Sequence, residues 1–423
     1  MPLTSMFYAA LIVASLALQS SAAPTTTSSK YSLVADYSGS SFFNGFTAYT
    51  GADPTNGNVD YRSMKYGAEH GLLGFVNNNS TNSLNAYIGV DYKNKMPNRD
   101  SMRLSSKQTF DAGTITVMDV VHAPVAFGTW PALWMLGDVP GAEWPSAGGE
   151  IDILEWVHET PFNAMTLHTG SGCSVQNSTS AFHGQLQHTN CNAGQGSDGC
   201  SIQAPKHLAT KTGTLATAGK GFNDQGGAVF VVDWTAQGVS MYMFARHNVP
   251  ADIVAGKPDP ASWNAVPVAK FSGAGCDYTT SLSDAVIIAD TTFCGQWAGD
   301  VWTSSGAAAA TGVKTCAEYV ENNPAAFSEA YFEIRSIRVF ADGGRKPGVA
   351  TKAKRDVNEL QSFPMISVGD RHNCTDAAEG LRSGMATGSY NATVIGLRES
   401  RRAHGHRSAH HHGTLTLSNH TTP

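Results

Sequence analysis

The sequence predicts an all-β protein, a sandwich or jelly roll of many short strands, followed by a C-terminal tail without regular structure. Short runs of β-branched and aromatic residues recur from Tyr31 onward, separated by turn sequences such as Asp-Pro-Thr-Asn-Gly at 53–57. Helical periodicity is scarce, and we expect one short helix over residues 316–321. Only 15% of the residues are charged and 43 are glycines, which suits a turn-rich β protein.

Individual strands are indicated by local alternation and by β-branched content. They are expected over residues 87–92, 101–105, 114–121, 131–136, 150–155, 165–168, 228–233, 239–244, 286–290 and 331–340. A Thr-Ala-Gln-Gly turn separates the strands at 228–233 and 239–244, which indicates a hairpin. Residues 169–221 are rich in Gly, Ser, Asn and Gln and contain three cysteines, so we expect an elaborate loop tied by disulfides.

The chain of 423 residues divides into four predicted regions. Residues 1–22 are predicted to be a signal peptide, because an apolar run over 7–18 precedes small residues suited to cleavage after Ala22. The run is too short for a membrane anchor, which needs about 20 apolar residues. The other regions are a Thr/Ser linker, a folded body and a disordered, basic, His-rich tail, at residues 23–30, 31–342 and 343–423.

Two features of the tail have a chemical and a simpler interpretation. Lys354-Arg355 is a dibasic pair that a secretory-pathway protease could cut, or it is merely part of a loose linker. A histidine cluster could bind a transition metal weakly, although a compositional bias towards histidine is the simpler interpretation. Its members are His404, His406, His410, His411 and His412.

Cysteine content and net charge limit the compartment and the partners. Seven cysteines in an exported chain predict disulfides, and the six in the body allow up to three bridges whose pairing stays open. The net charge of −6 argues against a nucleic-acid partner. We expect a secreted monomer, extracellular or associated with a cell wall. Six Asn-x-Ser/Thr acceptors agree with this route: Asn78, Asn79, Asn177, Asn373, Asn391 and Asn419.

Three carboxylates lie within residues 150–155, which read Glu-Ile-Asp-Ile-Leu-Glu. Glu150 and Asp152 share one face of the predicted strand, whereas a regular strand would turn Glu155 into the apolar layer. A buried, unpaired carboxylate is costly, so we predict a β-bulge at Ile153-Leu154 that returns Glu155 to the first face. The two glutamates could then reach the ~5–5.5 Å separation of a retaining glycosidase. The alternative is a strand whose polar face is simply solvated.

Tryptophans surround these acids. Trp130-Pro-Ala-Leu-Trp134 and Trp144 precede them, and Trp156 follows Glu155 directly. Indole faces stack on sugar rings, so tryptophans near paired carboxylates favour a carbohydrate cleft, although some of them must pack in the core. Gly148-Gly149 lets the backbone tighten next to the acids.

Together these motifs resemble glycoside hydrolase family 16, and most closely its fungal endo-1,3(4)-β-glucanase, laminarinase-like branch. The resemblance rests on Trp-Pro-Ala-Leu-Trp, on Trp-Pro-Ser-Ala-Gly-Gly-Glu-Ile-Asp-Ile-Leu-Glu and on Thr-Leu-His-Thr at 166–169. The early Phe-Phe-Asn-Gly-Phe, the late Thr-Thr-Phe-Cys-Gly-Gln-Trp-Ala-Gly and the closing Tyr-Phe-Glu-Ile-Arg-Ser-Ile-Arg-Val-Phe agree with it. It covers residues 31–340 and leaves out the tail.

The resemblance implies a concanavalin A-like β-jelly roll of two curved antiparallel sheets, with a groove for β-glucan on the concave face. It implies hydrolysis with retention, with Glu150 as nucleophile, Glu155 as general acid/base and Asp152 tuning the nucleophile. His168 matches a histidine beside the carboxylates, which the residues alone would leave as a satisfied core or cleft histidine. Subsite aromatics are matched by Trp134, Trp144 and Trp297. The chemistry needs no cofactor, and the chain shows no Asp-rich loop that would mark the structural calcium of some members.

Two other functions use the same fold. A lectin-like glucan-binding protein would lack the paired glutamates, and both are present here. A cell-wall transglycosylase would pass the glycosyl group to a sugar instead of to water. Wall transglycosylases of the family and bacterial lichenases generally carry a bulge-free Glu-x-Asp-x-Glu motif, so the extra residue here argues against both of these branches. The ratio of β-1,3 to mixed β-1,3/1,4 activity stays open.

Overall fold

The structure, a computed structural model, describes residues 30–78, 83–176, 181–193, 197–343, 345–350 and 362–368. Its strands, in chain order, are β1 (Tyr31–Ser38), β2 (Phe46–Ala48), β3 (Val59–Tyr61), β4 (Leu73–Asn78), β5 (Ser83–Ile88), β6 (Arg99–Ser101), β7 (Arg103–Phe110), β8 (Thr114–His122), β9 (Thr129–Gly137), β10 (Glu150–Glu155), β11 (Ala164–His168), β12 (Gln185–His188), β13 (Cys200–Gln203), β14 (His207–Thr210), β15 (Gly213–Ala216), β16 (Ala228–Thr235), β17 (Gly238–Phe244), β18 (Ala269–Ser272), β19 (Ala285–Phe293), β20 (Phe332–Asp342) and β21 (Gly348–Val349).

Two large antiparallel sheets form the predicted jelly-roll sandwich. One sheet has the order β18-β17-β16-β8-β20-β5-β4, with β1 also paired to β20. The other has the order β12-β13-β11-β10-β9-β19-β7-β2, with β21 also paired to β7. Strand β10, which carries the three carboxylates, lies inside the second sheet between β9 and β11. A central strand is paired on both sides, which gives its side chains a well-defined register.

Short helices occupy the connections. They are α1 (Met64–Glu69), α2 (Gly219–Asp224), α3 (Ala251–Val254), α4 (Ala307–Thr311) and α5 (Cys316–Asn322). The last confirms the helix predicted over 316–321, and Thr315 caps it by accepting a hydrogen bond from the Glu318 N–H. A π-helical turn, Gly295–Gly299, follows β19 and carries Trp297. Among the described residues, no helix is both long enough and apolar enough to cross a membrane.

The main core lies between the two sheets and fixes which face of β10 points outward. Ile151, Ile153 and Leu154 are each at most 1% exposed and belong to this core, together with Met118 and Val120 of β8. Full burial of one such side chain contributes about 1.5–3 kcal/mol. Turning the acid-bearing face of β10 inward would forfeit several such terms and would bury carboxylates instead, so packing determines the orientation of the strand.

Two sequence predictions about local structure are wrong. The strand predicted over 87–92 ends at Ile88, because Val90 is buried in a separate cluster with Tyr61 and Phe293 instead of in the sheet. The expected loop over 169–221 contains strands β12 to β15 and helix α2. These strands have only four residues each, and the exposed sequence Gln-Leu-Gln-His of β12 lacks the apolar alternation on which the prediction relied.

Three disulfides settle the pairing that the sequence left open. They join Cys173 to Cys276, Cys191 to Cys200, and Cys294 to Cys316. The first bridge ties the long segment after β11 to the segment after β18. The third fastens α5 to the π-helical turn that carries Trp297.

The predicted boundary at residue 342 needs a correction, because two segments of the expected disordered tail are ordered on the body. Strand β21 pairs with β7, and residues 362–368 lie along β4. Apolar residues in these segments are too few to change the polar average of the tail, so composition hid them. The signal peptide, Lys354-Arg355, the histidine cluster and the side chains of the asparagine acceptors lie outside the described residues, and their assignments stay predictions.

Candidate active site

A β-bulge gathers the three carboxylates on one face of β10, as predicted. Asp152 lies opposite Trp134 on β9, and Leu154 lies opposite Leu133, the next residue along β9. Ile153 is therefore the extra residue, and Glu155 returns to the face of Glu150 and Asp152. Both bulge residues, Ile153 and Leu154, are fully buried in the core.

Asn163 holds the bulge in place. Its side-chain amide donates to the Ile153 carbonyl at 2.7 Å, and its side-chain oxygen accepts from the Glu155 N–H at 2.8 Å. These are the backbone groups that the bulge removes from the regular ladder, and leaving them buried and unpaired would cost about 1–3 kcal/mol each. Sequence reasoning missed Asn163, because an asparagine after Thr-Pro-Phe reads as an ordinary turn residue.

Each glutamate accepts a hydrogen bond from a different tryptophan. The Trp144 indole Nε1 donates to Glu150 Oε2 at 2.7 Å, and the Trp130 indole Nε1 donates to Glu155 Oε1 at 2.8 Å. Such bonds fix the direction of each carboxyl group and favour its charged form. Trp130 belongs to the Trp-Pro-Ala-Leu-Trp motif, but the sequence does not predict its contact with Glu155.

His168 lies close to both Glu150 and Asp152. It lies directly opposite Glu150 on β11. Its Nε2 lies 3.1 Å from Asp152 Oδ2 and 3.7 Å from Glu150 Oε1. Burial opposes a charge on His168, but the nearby carboxylates outweigh burial and raise the pKa of its imidazole to about 9. A cation at this position partly neutralises the acids around it.

The two glutamates differ in how strongly they hold a proton. Burial, followed by repulsion from Asp152, raises the pKa of Glu150 to about 7, against the opposing effects of His168 and Trp144. Burial and Asp152 raise the pKa of Glu155 well above its usual range, opposed by the hydrogen bond from Trp130. Because the histidine contacts Glu150 and not Glu155, Glu150 is the easier of the two to ionise.

The three predicted subsite tryptophans occupy different positions around the acids. Trp144 is half-buried beside Glu150, with its ring centroid 5.8 Å from that of His168. Trp297 is half-buried on the π-helical turn and meets Trp130 edge to face at 5.5 Å. Trp134 lies on the acid-bearing face but is only 8% exposed. The structure therefore places Trp144 beside Glu150 and Trp297 next to Trp130, on the side of Glu155, whereas the indole of Trp134 has little solvent-exposed surface.

Several buried polar side chains surround Trp134. Its indole Nε1 donates to Asp290 Oδ1 at 2.9 Å, and the Arg103 guanidinium lies 4.9 Å from the centroid of its ring. Asp290 Oδ2 also accepts a hydrogen bond from the Tyr61 hydroxyl at 3.1 Å and lies 3.7 Å from Arg103 Nη1. These residues continue the polar surface beside the acids onto strands other than β10. Sequence spacing does not identify Arg103, Tyr61 or Asp290 as site residues, because each lies on a different, distant strand.

One group of side chains near the acids has the composition of a metal site. Ligand atoms of Glu150, Asp152 and His168 all lie within 4.8 Å of one another. Two carboxylates and one imidazole could contribute to binding a divalent ion. The acid–base arrangement itself calls for no ion, and the expectation that no cofactor is needed stays a prediction.

A jelly roll whose central strand carries two glutamates and an aspartate on one face, flanked by indoles, defines a glycoside hydrolase. Comparison with known families places it more closely: the XgeA-like, catalytic GH16 domain matches residues 46–340. The chain belongs to glycoside hydrolase family 16.

Relatives in fungi agree with this assignment. A probable glycosidase of Schizosaccharomyces pombe is 38% identical over 322 residues, which cover 75% of this chain and 71% of that one. A probable endo-1,3(4)-beta-glucanase of Aspergillus clavatus is 36% identical over 360 residues, 83% of this chain and 53% of that one. The chain thus spans about half the length of the Aspergillus relatives it matches.

Two solved structures share the fold over nearly their whole length. Laminarinase 16A of Phanerochaete chrysosporium, with beta-glucans in its donor and acceptor sites, is 33% identical, with a TM-score of 0.63. The match covers 73% of this chain and 99% of that one. An elongating family 16 beta-1,3-glucosyltransferase is 32% identical with a TM-score of 0.64, covering 74% of this chain and 100% of that one.

Proposed function

We propose that the protein is a secreted endo-β-glucanase that hydrolyses β-1,3 and mixed β-1,3/1,4 glucans with retention of configuration. The observation that carries the proposal is the bulge at Ile153-Leu154, which places Glu150 and Glu155 on one face while each accepts a bond from its own indole. A retaining glycosidase uses two such carboxyl groups, one as nucleophile and one as general acid/base. The names of the Aspergillus relatives and of the laminarinase support glucan as the substrate class.

Glu150 performs the first displacement. Its carboxylate attacks the anomeric carbon, the glycosidic C–O bond breaks, and Glu155 gives its proton to the departing oxygen. The histidine and the Trp144 indole both favour the charged form of Glu150, so they favour the state that attacks. The strongly raised pKa of Glu155 keeps its proton available for the leaving group.

Glu155 performs the second step in the opposite protonation state. Having lost its proton, it removes one from a water molecule, and the water oxygen attacks the anomeric carbon. The ester bond to Glu150 breaks and releases the sugar with its original configuration. The indole of Trp130 stabilises the charged form of Glu155 that exists only between the two steps.

The assay uses laminarin, lichenan and a β-1,6-glucan with the secreted protein, and follows product size and anomer by NMR. We expect oligosaccharides of several lengths from laminarin and lichenan, none from the β-1,6-glucan, and the β-anomer before mutarotation. An early α-anomer, or no products from either of the first two glucans, would refute the mechanism. Recovery of the protein from the culture medium tests secretion, and gel filtration of it tests the monomeric state.

Transfer to a sugar acceptor is the second candidate function. The similarity to an elongating glucosyltransferase is as extensive as the similarity to the laminarinase, so the fold does not separate the two reactions. Both share the glycosyl-enzyme on Glu150 and differ in what enters next. Products longer than a defined laminarin oligosaccharide substrate, present at low conversion, would favour transfer over hydrolysis.

A further inference from the structure

The chain beyond the family 16 domain returns twice to the sandwich. The domain match ends at residue 340, yet β21 adds to the edge of the acid-bearing sheet at β7. Residues 362–368 then lie along β4, the edge strand of the other sheet. An exposed edge strand is a ready template for pairing, and here a segment of the same chain uses that template.

Backbone hydrogen bonds set the register of this second contact. The Phe75 N–H of β4 donates to the Pro364 carbonyl at 2.9 Å, and the Ile366 N–H donates to the Phe75 carbonyl at 2.8 Å. From Pro364 onward the side chains alternate in burial, with Pro364, Ile366 and Val368 partly buried and Met365 58% exposed, and Phe363 before them is also partly buried. This is the pattern of an added strand recognised through its backbone and through alternate side chains.

Apolar anchors seat the segment on the edge. The ring of Phe363 packs against both Phe43 and Phe75, with centroids 4.4 Å and 6.0 Å away. Ile366 and Val368 pack against the buried cluster of Val76, Tyr87 and Tyr331. Aromatic pairs at these separations are favourable beyond the area that they bury.

Gly74 makes room for the added strand. A Cβ at this position would lie 2.5 Å from Ile366 Cγ1 and 2.5 Å from the Pro364 carbonyl oxygen. Side chains of real proteins do not approach so closely, so any larger residue would push the segment away from β4. The groove on the β4 edge that holds residues 362–368 therefore depends on the lack of a side chain at Gly74, as well as on the apolar residues around it.

We propose that residues 362–368 are a docking strand, which binds the β4 edge without help from the covalent connection to residue 350. All the contacts above come from the segment and the groove themselves. The occupant recognised by the groove is a short extended peptide with the pattern Phe-Pro-x-Ile. Docking thus keeps the remaining C-terminal chain on the catalytic domain even when the connection is cut.

The test cuts the full-length protein at one place. A site-specific protease sequence is inserted between residues 350 and 362, and the cut protein is analysed by gel filtration at micromolar concentration with mass spectrometry. We expect the C-terminal fragment to co-elute with the body. Elution of the fragment by itself would overturn the proposal, because the covalent link would then be what holds it.

Paired variants separate the docking contacts from non-specific association. Phe363→Ala combined with Ile366→Ser should release the fragment, with affinity lowered at least about tenfold. The control Met365→Ala, at an exposed position of the same segment, should retain it. Retention by the double variant, or equal loss with the control, would contradict the assignment.

A variant of the groove tests the partner side. Gly74→Val should release the fragment to the same extent, while the uncut variant keeps its glucan hydrolysis near that of the wild type. If this variant fails to fold, a synthetic peptide of residues 360–369 decides: it should displace the wild-type fragment, and a Phe363→Ala peptide should not. Displacement by both peptides, or by neither, would reject docking.

Discussion

Replacing Trp144 by phenylalanine removes one hydrogen bond from the proposed nucleophile and keeps an aromatic ring in place. The indole Nε1 donates to Glu150 Oε2 at 2.7 Å, and this bond favours the charged carboxylate. Its loss should raise the pKa of Glu150 above its value of about 7. Since Glu150 must be ionised to attack, the acidic limb of kcat/KM against pH should move to higher pH.

The size of the shift follows from the strength of the bond. A hydrogen bond to a charged group contributes about 1.5–3 kcal/mol, and one pKa unit corresponds to about 1.4 kcal/mol, which bounds the shift at about one to two units. The Glu150 side chain is 17% exposed, so water can replace part of the lost bond. We therefore expect an upward shift of about one unit.

Trp130→Phe is the matched control, because it removes the corresponding bond from Glu155. The pKa of Glu155 should rise, and the basic limb of the profile should move to higher pH while the acidic limb stays in place. The assay is laminarin hydrolysis at low substrate concentration across the pH range, with circular dichroism to confirm folding. An unmoved acidic limb in folded Trp144→Phe, or identical shifts in both variants, would refute the assigned roles.

Three further predictions concern the acids, the bulge and the aromatic rim. Glu150→Gln and Glu155→Gln should each lower kcat for laminarin by at least about 10²-fold with the fold intact, and near wild-type activity in either would contradict the mechanism. Asn163→Ala unpairs two buried backbone groups, so unfolding free energy should fall by about 2–6 kcal/mol in denaturant titrations and kcat should drop; unchanged values would remove its role in the bulge. Trp297→Ala should raise KM more than it lowers kcat, and the reverse split would place the ring in the chemical step instead of in sugar binding.

The sequence was most informative where local spacing and global packing agree. The acids at 150–155 alternate with large apolar residues, so burial of Ile151 and Ile153 alone requires an outward face for Glu150 and Asp152. Glu155 lies three residues beyond Asp152, so a bulge is needed to keep its carboxylate out of the apolar core. The structure confirms this bulge. The same reasoning recovered the fold class, because alternation over many short strands is a property of the whole chain.

Interactions between distant strands could not be predicted in this way. Asp290 on β19 lies opposite Arg103 on β7 once these two strands pair, and it meets Tyr61 on β3, which belongs to a separate two-stranded sheet. A lone acid within the apolar sequence of β19 shows that a partner is required, because a buried charge needs one, but it does not identify that partner. The disulfide pairing and the docking of residue 363 are unpredictable for the same reason: both are decided by three-dimensional proximity.

The bulge also has an evolutionary consequence. Ile153 and Leu154 both point into the core, so deleting Ile153 would still leave Asp152 opposite Trp134 and Glu155 opposite Ala132. A one-codon deletion of Ile153 therefore shortens β10 without turning any of the three acids to the other face. Most strands cannot absorb such a change, because a slip of one residue inverts every side chain beyond it. The bulge therefore separates the length of the acid-bearing strand from the direction in which its acids point.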